Sequence, residues 1–489
     1  MTRPVLLSEN SRSALMTANG FISPNKLPQF IAAFISTIPA VCLGMVFSWT
    51  SSAIPILEKE ISMTATQGAW VGSLVTLGAF VGAVPTGFLA QKIGRKKCLL
   101  LLIMPLFCSW ILIGYFYHRL LVLYLARFFA GISCGCISVA APLYVSEVAH
   151  ISIRGTLGTF FQVQITVGFL LEYLLGDVIG DIKTLSLVSS ILPVAFFVAF
   201  SFIPESPTYL CKKAETDEAL KSLIWLRGND YEVEDELVKI TEEIKEGTQN
   251  KATLFDLISY KATYKGLIIS FGLMVFQQLS GVNAVLFYTN TIFEQSGGSL
   301  SAGACSILVG LVQVVATLCS TMLIDKSGRK ILLILSISVM SASLAILGTY
   351  FYLNGYIDVR PYSFLPLVSL ALFIIFFSIG FGPIPWMIMG EIFPPHMKGT
   401  ASSAAASLNW ILAFIVTNQF ANLIYILGIG MTFIIFSIIC VFGTAFVIVF
   451  VPETKGRSIE EIVQLLSGSK GILLKNPNDI NCDKATTTV

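Results

Sequence analysis

Charge is what this sequence most lacks. Asp, Glu, Lys and Arg make up only 12% of its 489 residues against 55% hydrophobic residues, and the mean hydropathy is +0.79. Soluble domains carry about twice that charged fraction, so a water-soluble fold is excluded and lipid must be the solvent. Histidine is nearly absent: His118, His150 and His396 are the three, all near loops. The ten cysteines show no paired metal-ligand spacing. Cys42, Cys108, Cys134, Cys136, Cys305, Cys319 and Cys440 sit inside apolar runs and read as small core residues, so no metal site is expected. No Walker A or glycine-rich dinucleotide motif occurs, which leaves ATP-driven work and a nucleotide cofactor without support. Gly131-Ile132-Ser133-Cys134-Gly135 matches a nucleophile-elbow pattern, but it lies inside an apolar run with no strand before it. Close helix packing accounts better for small residues at that spacing, so an enzyme is not expected.

What the chain does have is apolar runs of spanning length. Six lie near residues 29–49, 69–90, 98–117, 120–146, 157–179 and 186–203, and six more near 266–294, 302–324, 331–353, 363–390, 399–425 and 427–451. Between them runs a mixed-charge stretch typical of solvated short helices. The expected layout is a tail over 1–28, a six-helix bundle over 29–203, a helical linker over 204–264, a second bundle over 265–451 and a tail over 452–489. The polar first 25 or so residues lack the layout of a cleavable signal, so the first span is expected to act as an uncleaved anchor. Alternate loops carry Lys92, Arg95, Lys96 and Lys97, then Arg154, then the linker, then Lys326, Arg329 and Lys330, then Lys398, then Lys455 and Arg457. The opposite loops hold only Lys59, Arg119, Lys183 and Arg360, so both termini and the linker are expected on the cytoplasmic side.

The chain repeats itself. Gly94-Arg95-Lys96 recurs as Gly328-Arg329-Lys330, 328 − 94 = 234 residues on. Glu147 and Arg154 recur as Glu391 and Lys398 with the same spacing, and Pro204-Glu205-Ser206 recurs as Pro452-Glu453-Thr454. Three signatures in one order identify two parallel repeats, the arrangement that places a substrate site at the midplane between them. Each signature sits at a basic helix end. Glu147 and Glu391 reaching Arg329 and Arg95 across the interface would latch that side shut, with Arg154, Glu205 and Glu453 in the same clusters.

These motifs name a family. With Arg127, Pro207, the run Gln277-Gln278-Leu279-Ser280-Gly281-Val282-Asn283, Asp325 to Lys330, Gly382-Pro383-Ile384-Pro385-Trp386 and Pro452-Glu453-Thr454-Lys455-Gly456, the chain resembles the sugar porters of the major facilitator superfamily over nearly its whole length. Within that family it looks most like insect facilitated trehalose transporters, through Ser378-Ile379-Gly380-Phe381-Gly382-Pro383 and Gly390-Glu391-Ile392. The resemblance implies an all-α membrane protein of twelve transmembrane helices in two pseudo-symmetric bundles, in the plasma membrane. It implies a small neutral sugar as substrate, no cofactor, no nucleic acid and no obligate protein partner. Two positions depart from the family pattern: Gln91 stands where many members place an acid in the first basic loop, and Ser378 where many glucose facilitators carry a Glu.

A site for a sugar needs neutral amides for its hydroxyls and aromatic faces for its C–H surface. Gly158, Gln162 and Thr166 share one face of the fifth span, and the seventh carries Gln277, Gln278 and Asn283, then Tyr288 and Asn290. By resemblance Gln162, Gln277, Gln278, Asn283, Gln313 and Asn409 fall on sugar-contacting positions, Trp386 and Trp410 form aromatic walls, and Tyr288 belongs to an outer gate. Two prolines and two glycines in Gly380 to Trp386 make a regular helix improbable there and predict a break beside a cavity. The alternative substrate is glucose or another hexose. The rival mechanism, proton symport, needs an intramembrane carboxylate. The first span has none from Phe30 to Leu57, and Glu172, near the outer end of the fifth span, is expected to snorkel to the interface.

Overall fold

The structure is a computed structural model that describes residues 24–228, 231–249, 261–296, 300–393, 395–457 and 459–467. Both tails beyond these bounds, residues 250–260 of the linker and the side chains of Asp325, Arg360, His396 and Lys398 lie outside the described residues.

Every described element is helical. The first five spans are single helices: α1 (Leu27–Glu60), α2 (Ala65–Ile93), α3 (Arg95–Phe116), α4 (Leu120–Val148) and α5 (Arg154–Ile179). The sixth is α6 (Ile182–Ser189) followed by α7 (Ile191–Ser201). Three short helices follow, α8 (Pro207–Lys212), α9 (Thr216–Arg227) and α10 (Val233–Gln249). The seventh span is α11 (Lys261–Leu279), α12 (Val282–Phe287) and α13 (Thr289–Ser296); the eighth and ninth are α14 (Ala302–Ser327) and α15 (Arg329–Leu353). The tenth joins α16 (Leu365–Phe376) through a π-helical turn at Phe377–Phe381 to α17 (Ile384–Ile392). The last two lie in α18 (Pro395–Phe450), before a short α19 (Ile459–Ser467). A straight helix of 56 residues would run about 84 Å, far beyond one hydrocarbon core. Gly428, at φ 80° and ψ 156°, breaks it into two crossings, which makes twelve.

The first span is longer than its apolar run, continuing through Pro55 to Glu60, because the polar tip beyond the core keeps its backbone bonded. Small residues set how closely helices approach. A Cβ at Gly131 would strike the Val75 carbonyl and one at Gly135 the Ala79 carbonyl, so the elbow-like motif is a contact stripe between α4 and α2. Gly44 and Gly168 bring α1 against α5 in the same way. Of the seven cysteines expected in the core, five are buried, Cys42, Cys134, Cys136, Cys305 and Cys440, while Cys108 and Cys319 are exposed. Lipid is as apolar as a core, so hydropathy alone does not separate the two surroundings.

Where the first six spans meet the last six, the hydrogen bonds among the described residues all lie away from the basic loops. Tyr173 Oη donates to Leu286 O at 2.8 Å, Asn290 N to Ser51 Oγ at 2.9 Å and Asn418 Nδ2 to Ser73 Oγ at 3.0 Å, with Thr289 Oγ1 3.3 Å from the Tyr173 hydroxyl. Phe47 of α1 packs on Phe287 and Trp410, and Trp70 of α2 on Phe414. At the basic end Gly155, Gly158 and Gly399 face open space. These contacts shut the bundle at the end away from the basic loops, and at the basic end no hydrogen bond joins the two halves among the described residues.

Candidate functional site

The amides of the second half form a chain. Asn283 Nδ2 donates to Gln278 Oε1 at 2.6 Å, Gln278 Nε2 to Asn409 Oδ1 at 3.0 Å, and Asn409 Nδ2 to Gln277 Oε1 at 2.7 Å. Gln277 Nε2 ends the chain on two backbone carbonyls, Phe381 at 2.6 Å and Gly382 at 3.0 Å. Four neutral amides, head to tail, thus tie the seventh and eleventh spans to the break in the tenth.

That break matches the proline and glycine signal. Pro383 and Pro385 cannot extend the hydrogen-bond ladder, and the freed groups find side-chain partners instead. Ser336 Oγ donates to Phe376 O at 2.6 Å and accepts from Phe381 N at 3.0 Å, while Ser320 Oγ donates to Ile379 O at 3.1 Å. In the seventh span Gly281 takes φ +80°, and a Cβ there would meet the Phe436 ring at 2.5 Å. This left-handed residue separates α11 from α12 and turns Asn283 back toward Gln278.

Around the chain, polar groups remain unengaged. Among the described residues Gln313 Oε1, Trp410 Nε1 and the Tyr288 hydroxyl are buried without a hydrogen-bond partner. Asn283 and Gln162 are half-buried. Trp410 packs on Phe47 with ring centroids 6.0 Å apart. Trp386, just past the break, is 40% exposed. Tyr288 packs against Phe420 with ring centroids 5.1 Å apart, beside Gly72, so it lies in the shut end, with Asn290 beside it accepting from Ser306 Oγ. The face of α5 carrying Gly158, Gln162 and Thr166 leads from open space to the buried Thr166.

At the basic end the charged signatures form two clusters of one design. Arg95 Nη2 lies 2.7 Å from Glu147 Oε1, and Arg329 Nη2 3.2 Å from Glu391 Oε1. The backbone N–H groups of Arg95 and Lys96 donate to Glu205, as those of Arg329 and Lys330 donate to Glu453, each carboxylate sitting on a helix N-terminus where the dipole favours it. Ser206 Oγ donates to Glu147, and Thr454 Oγ1 to Glu391. The expected cross-interface pairing is therefore corrected: each Glu meets the Arg of its own half. The spans that carry Arg and Glu are neighbours within a bundle, so each pair closes inside its own half. Arg154 is exposed at the start of α5, outside the first cluster. Burial pushes the Glu453 carboxyl up, but the N–H groups of Lys455, Arg329, Lys330 and Thr454 outweigh it and hold that carboxyl below its ordinary range.

Glu172 also departs from expectation. It does not snorkel: it is wholly buried, facing Ser189 of α6. Sequence reasoning missed a further lock, in which Arg227 of α9 donates to Glu236 at 2.7 Å and to Val148 O at 2.8 Å, while its carbonyl accepts from Asn25 N. A single arginine at the end of a charged linker helix carries no mark of such burial.

Comparison with known proteins agrees with this architecture. The chain is 39% identical over 92% of its length to the facilitated trehalose transporter Tret1 of Bombyx mori, covering 90% of that relative. It is 36% identical to the protein of that name from Culex quinquefasciatus, covering 96% of this chain and 91% of the relative. The Tret1 of Aedes aegypti, 38% identical, is longer, and the chain spans 55% of it. Among solved structures, the inward open conformation of the xylose transporter XylE from E. coli superposes with a TM-score of 0.76 at 23% identity, covering 89% of this chain and 99% of the other. XylE bound to 6-bromo-6-deoxy-D-glucose gives 0.74 at 23% identity, covering 90% and 99%. Those two share its fold. A family model described as Sugar (and other) transporter matches residues 30–466, so this twelve-span chain belongs to the sugar transporter family.

Proposed function

We propose that this protein is a facilitative sugar carrier of the plasma membrane, with trehalose as substrate, working by alternating access. The observation that carries the reading is the run of neutral amides at the midplane, Asn283, Gln278, Asn409 and Gln277, with unengaged polar atoms on Gln313 and Trp410 beside it. Neutral amides both donate and accept, which suits hydroxyls, and none of them titrates with the cycle. Gln162 supplies the first half's contact, and Trp386 and Trp410 the apolar walls.

Lys and Arg crowd the open end, so in this reading that end is cytoplasmic, both termini lie there, and the structure is inward-open. The contacts of Tyr288, Asn290 and Tyr173 form the outer gate. Residues 29–203 and 265–451 are the two bodies that rock about the site, with 204–264 as the cytoplasmic linker. The choice of trehalose rests on relatives named for that sugar, together with their 36–39% identity over most of this chain.

The test is uptake into liposomes of trehalose, glucose and fructose, with and without a proton ionophore. Internal trehalose should rise to the external concentration and stop, unaffected by ionophore. Preference for glucose would move the substrate to a hexose, and ionophore-sensitive accumulation would make the carrier a symporter.

A further inference from the structure

Glu172 is a buried carboxyl group of the fifth span that stands outside the amide chain. The register of α1 on α5 fixes its depth: Gly44 meets Gly168 and Ser52 meets Gly176, both offset by 124 residues (168 − 44, 176 − 52), which sets Glu172 level with Ser48. Its Oε1 is buried without a partner, and its Oε2 lies 3.0 Å from Ser189 Oγ. That hydroxyl is also 2.9 Å from Leu185 O, one helical turn back. A serine has one proton and cannot donate fully to both.

Among the described residues no charged side chain forms an ion pair with Glu172. The first span has none from Phe30 to Leu57, the eighth none from Ala302 to Ile324, and the sixth only Lys183 at its start. Arg127 of α4 is the cation whose field reaches it. Its guanidinium stacks over Trp49 at 4.9 Å and donates to Val46 O, Thr50 Oγ1 and Val71 O at 2.8, 2.6 and 3.1 Å. Arg127 is thus engaged in tying α1 and α2 together at the same depth.

We propose that Glu172 is a proton-binding site: a neutral carboxylic acid that donates its proton to Ser189 Oγ, while Ser189 donates its own to Leu185 O. Every hydroxyl proton then has one acceptor, and no naked charge is left in the bundle. The partners of this acid, α1, α4 and α6, all belong to the first half, which moves as a unit when the halves rock, so the proton stays bound through the cycle. A uniporter can therefore keep a buried acid without coupling to protons. In alkali the acid ionises, the carboxylate draws Arg127 from Val46, Val71 and Thr50, and the shut end loosens.

Infrared spectroscopy of the full chain in nanodiscs tests this. Wild type at neutral pH should show the carbonyl stretch of a protonated, hydrogen-bonded carboxylic acid, absent in Glu172→Gln and unchanged by saturating trehalose. Uptake by Glu172→Gln should stay within about twofold of wild type, because the amide still donates to Ser189, and should lack the decline in alkali expected of wild type. Absence of the band from wild type, its persistence in Glu172→Gln, or its disappearance on adding sugar would each overturn the proposal. If Glu172→Gln does not reach the membrane, Ser189→Ala decides: the band must move to higher frequency, and an unmoved band refutes the assignment. The infrared readout needs no transport, so its failure is separate from a failure of the sugar assignment.

Discussion

Arg95 and Glu147, 52 residues apart, meet at 2.7 Å within the first six spans. Each such pair joins two spans of one half and none joins the halves among the described residues, so these pairs brace each bundle. Their side chains are 2% and 10% exposed, against 13% and 27% for Arg329 and Glu391. Breaking a fully buried pair costs about 3–5 kcal/mol, and the cost falls steeply with exposure. Glu147→Gln should therefore destabilise the fold in detergent clearly more than Glu391→Gln, by about 2 kcal/mol against about 1, and lower the melting temperature in the same order. Equal losses would mean that burial does not set the strength of the two braces.

Two glutamines assigned to one site should behave differently. Gln277 holds the Phe381 and Gly382 carbonyls of the broken tenth span, whereas Gln162 is half-buried on an open face. Gln162→Ala should raise KM with little change in stability. Gln277→Ala should lower the maximal rate and the melting temperature as well, since two buried carbonyls lose their donor at about 1–3 kcal/mol. Uptake kinetics beside thermal unfolding separate the two, and a pure KM effect in Gln277→Ala would deny the role of the amide chain in holding the break.

The architecture was legible because spanning length and the basic loops are properties of residue runs, and the repeat showed which loops correspond. The break at Gly380 to Trp386 was legible for the same reason: proline and glycine act on their own backbone. Pairing was not. Whether Glu147 meets Arg95 or Arg329 depends on which helix ends are neighbours, and both choices satisfy charge. Glu172 was misplaced because distance from the helix end measures depth but not facing, and α5 turns that residue toward α6 and away from the interface. Asn418, which bonds Ser73 across the shut end, was visible as an amide in an apolar run, nine residues past Asn409, but nothing in its surroundings gave its partner.

The helix-end carboxylate Glu453 gives a pH prediction. Its donors hold its pKa below the ordinary value of 4.5 despite burial. A carboxyl with a depressed pKa in the folded state contributes stability above its unfolded value and loses it as pH falls through the folded one. The stability difference between wild type and Glu453→Gln should be constant from neutral pH down to about 4.5 and shrink in stronger acid. Thermal unfolding across that range checks it; a difference that grew in acid would have the wrong sign.

The final prediction concerns the path from the open end. Gly158, Gln162, Thr166, Phe169 and Tyr173 form one stripe of α5 at helical spacing, and at its far end Tyr173 bonds Leu286 of the second half. The stripe therefore faces the other bundle, and its near end, where a Cβ at Gly158 meets nothing within 4 Å, faces the cleft between them. A large side chain there fills the route to Gln162 without touching the packing. Gly158→Trp should fold at least as well as wild type, since glycine in a helix interior costs roughly 0.5–1 kcal/mol relative to alanine, yet it should lose most uptake. Gly168→Leu, ten residues on, is the contrast: its Cβ would strike the Val41 carbonyl, so stability and uptake should fall together. Near-normal uptake by a well-folded Gly158→Trp carrier would show that the sugar does not pass this face of α5.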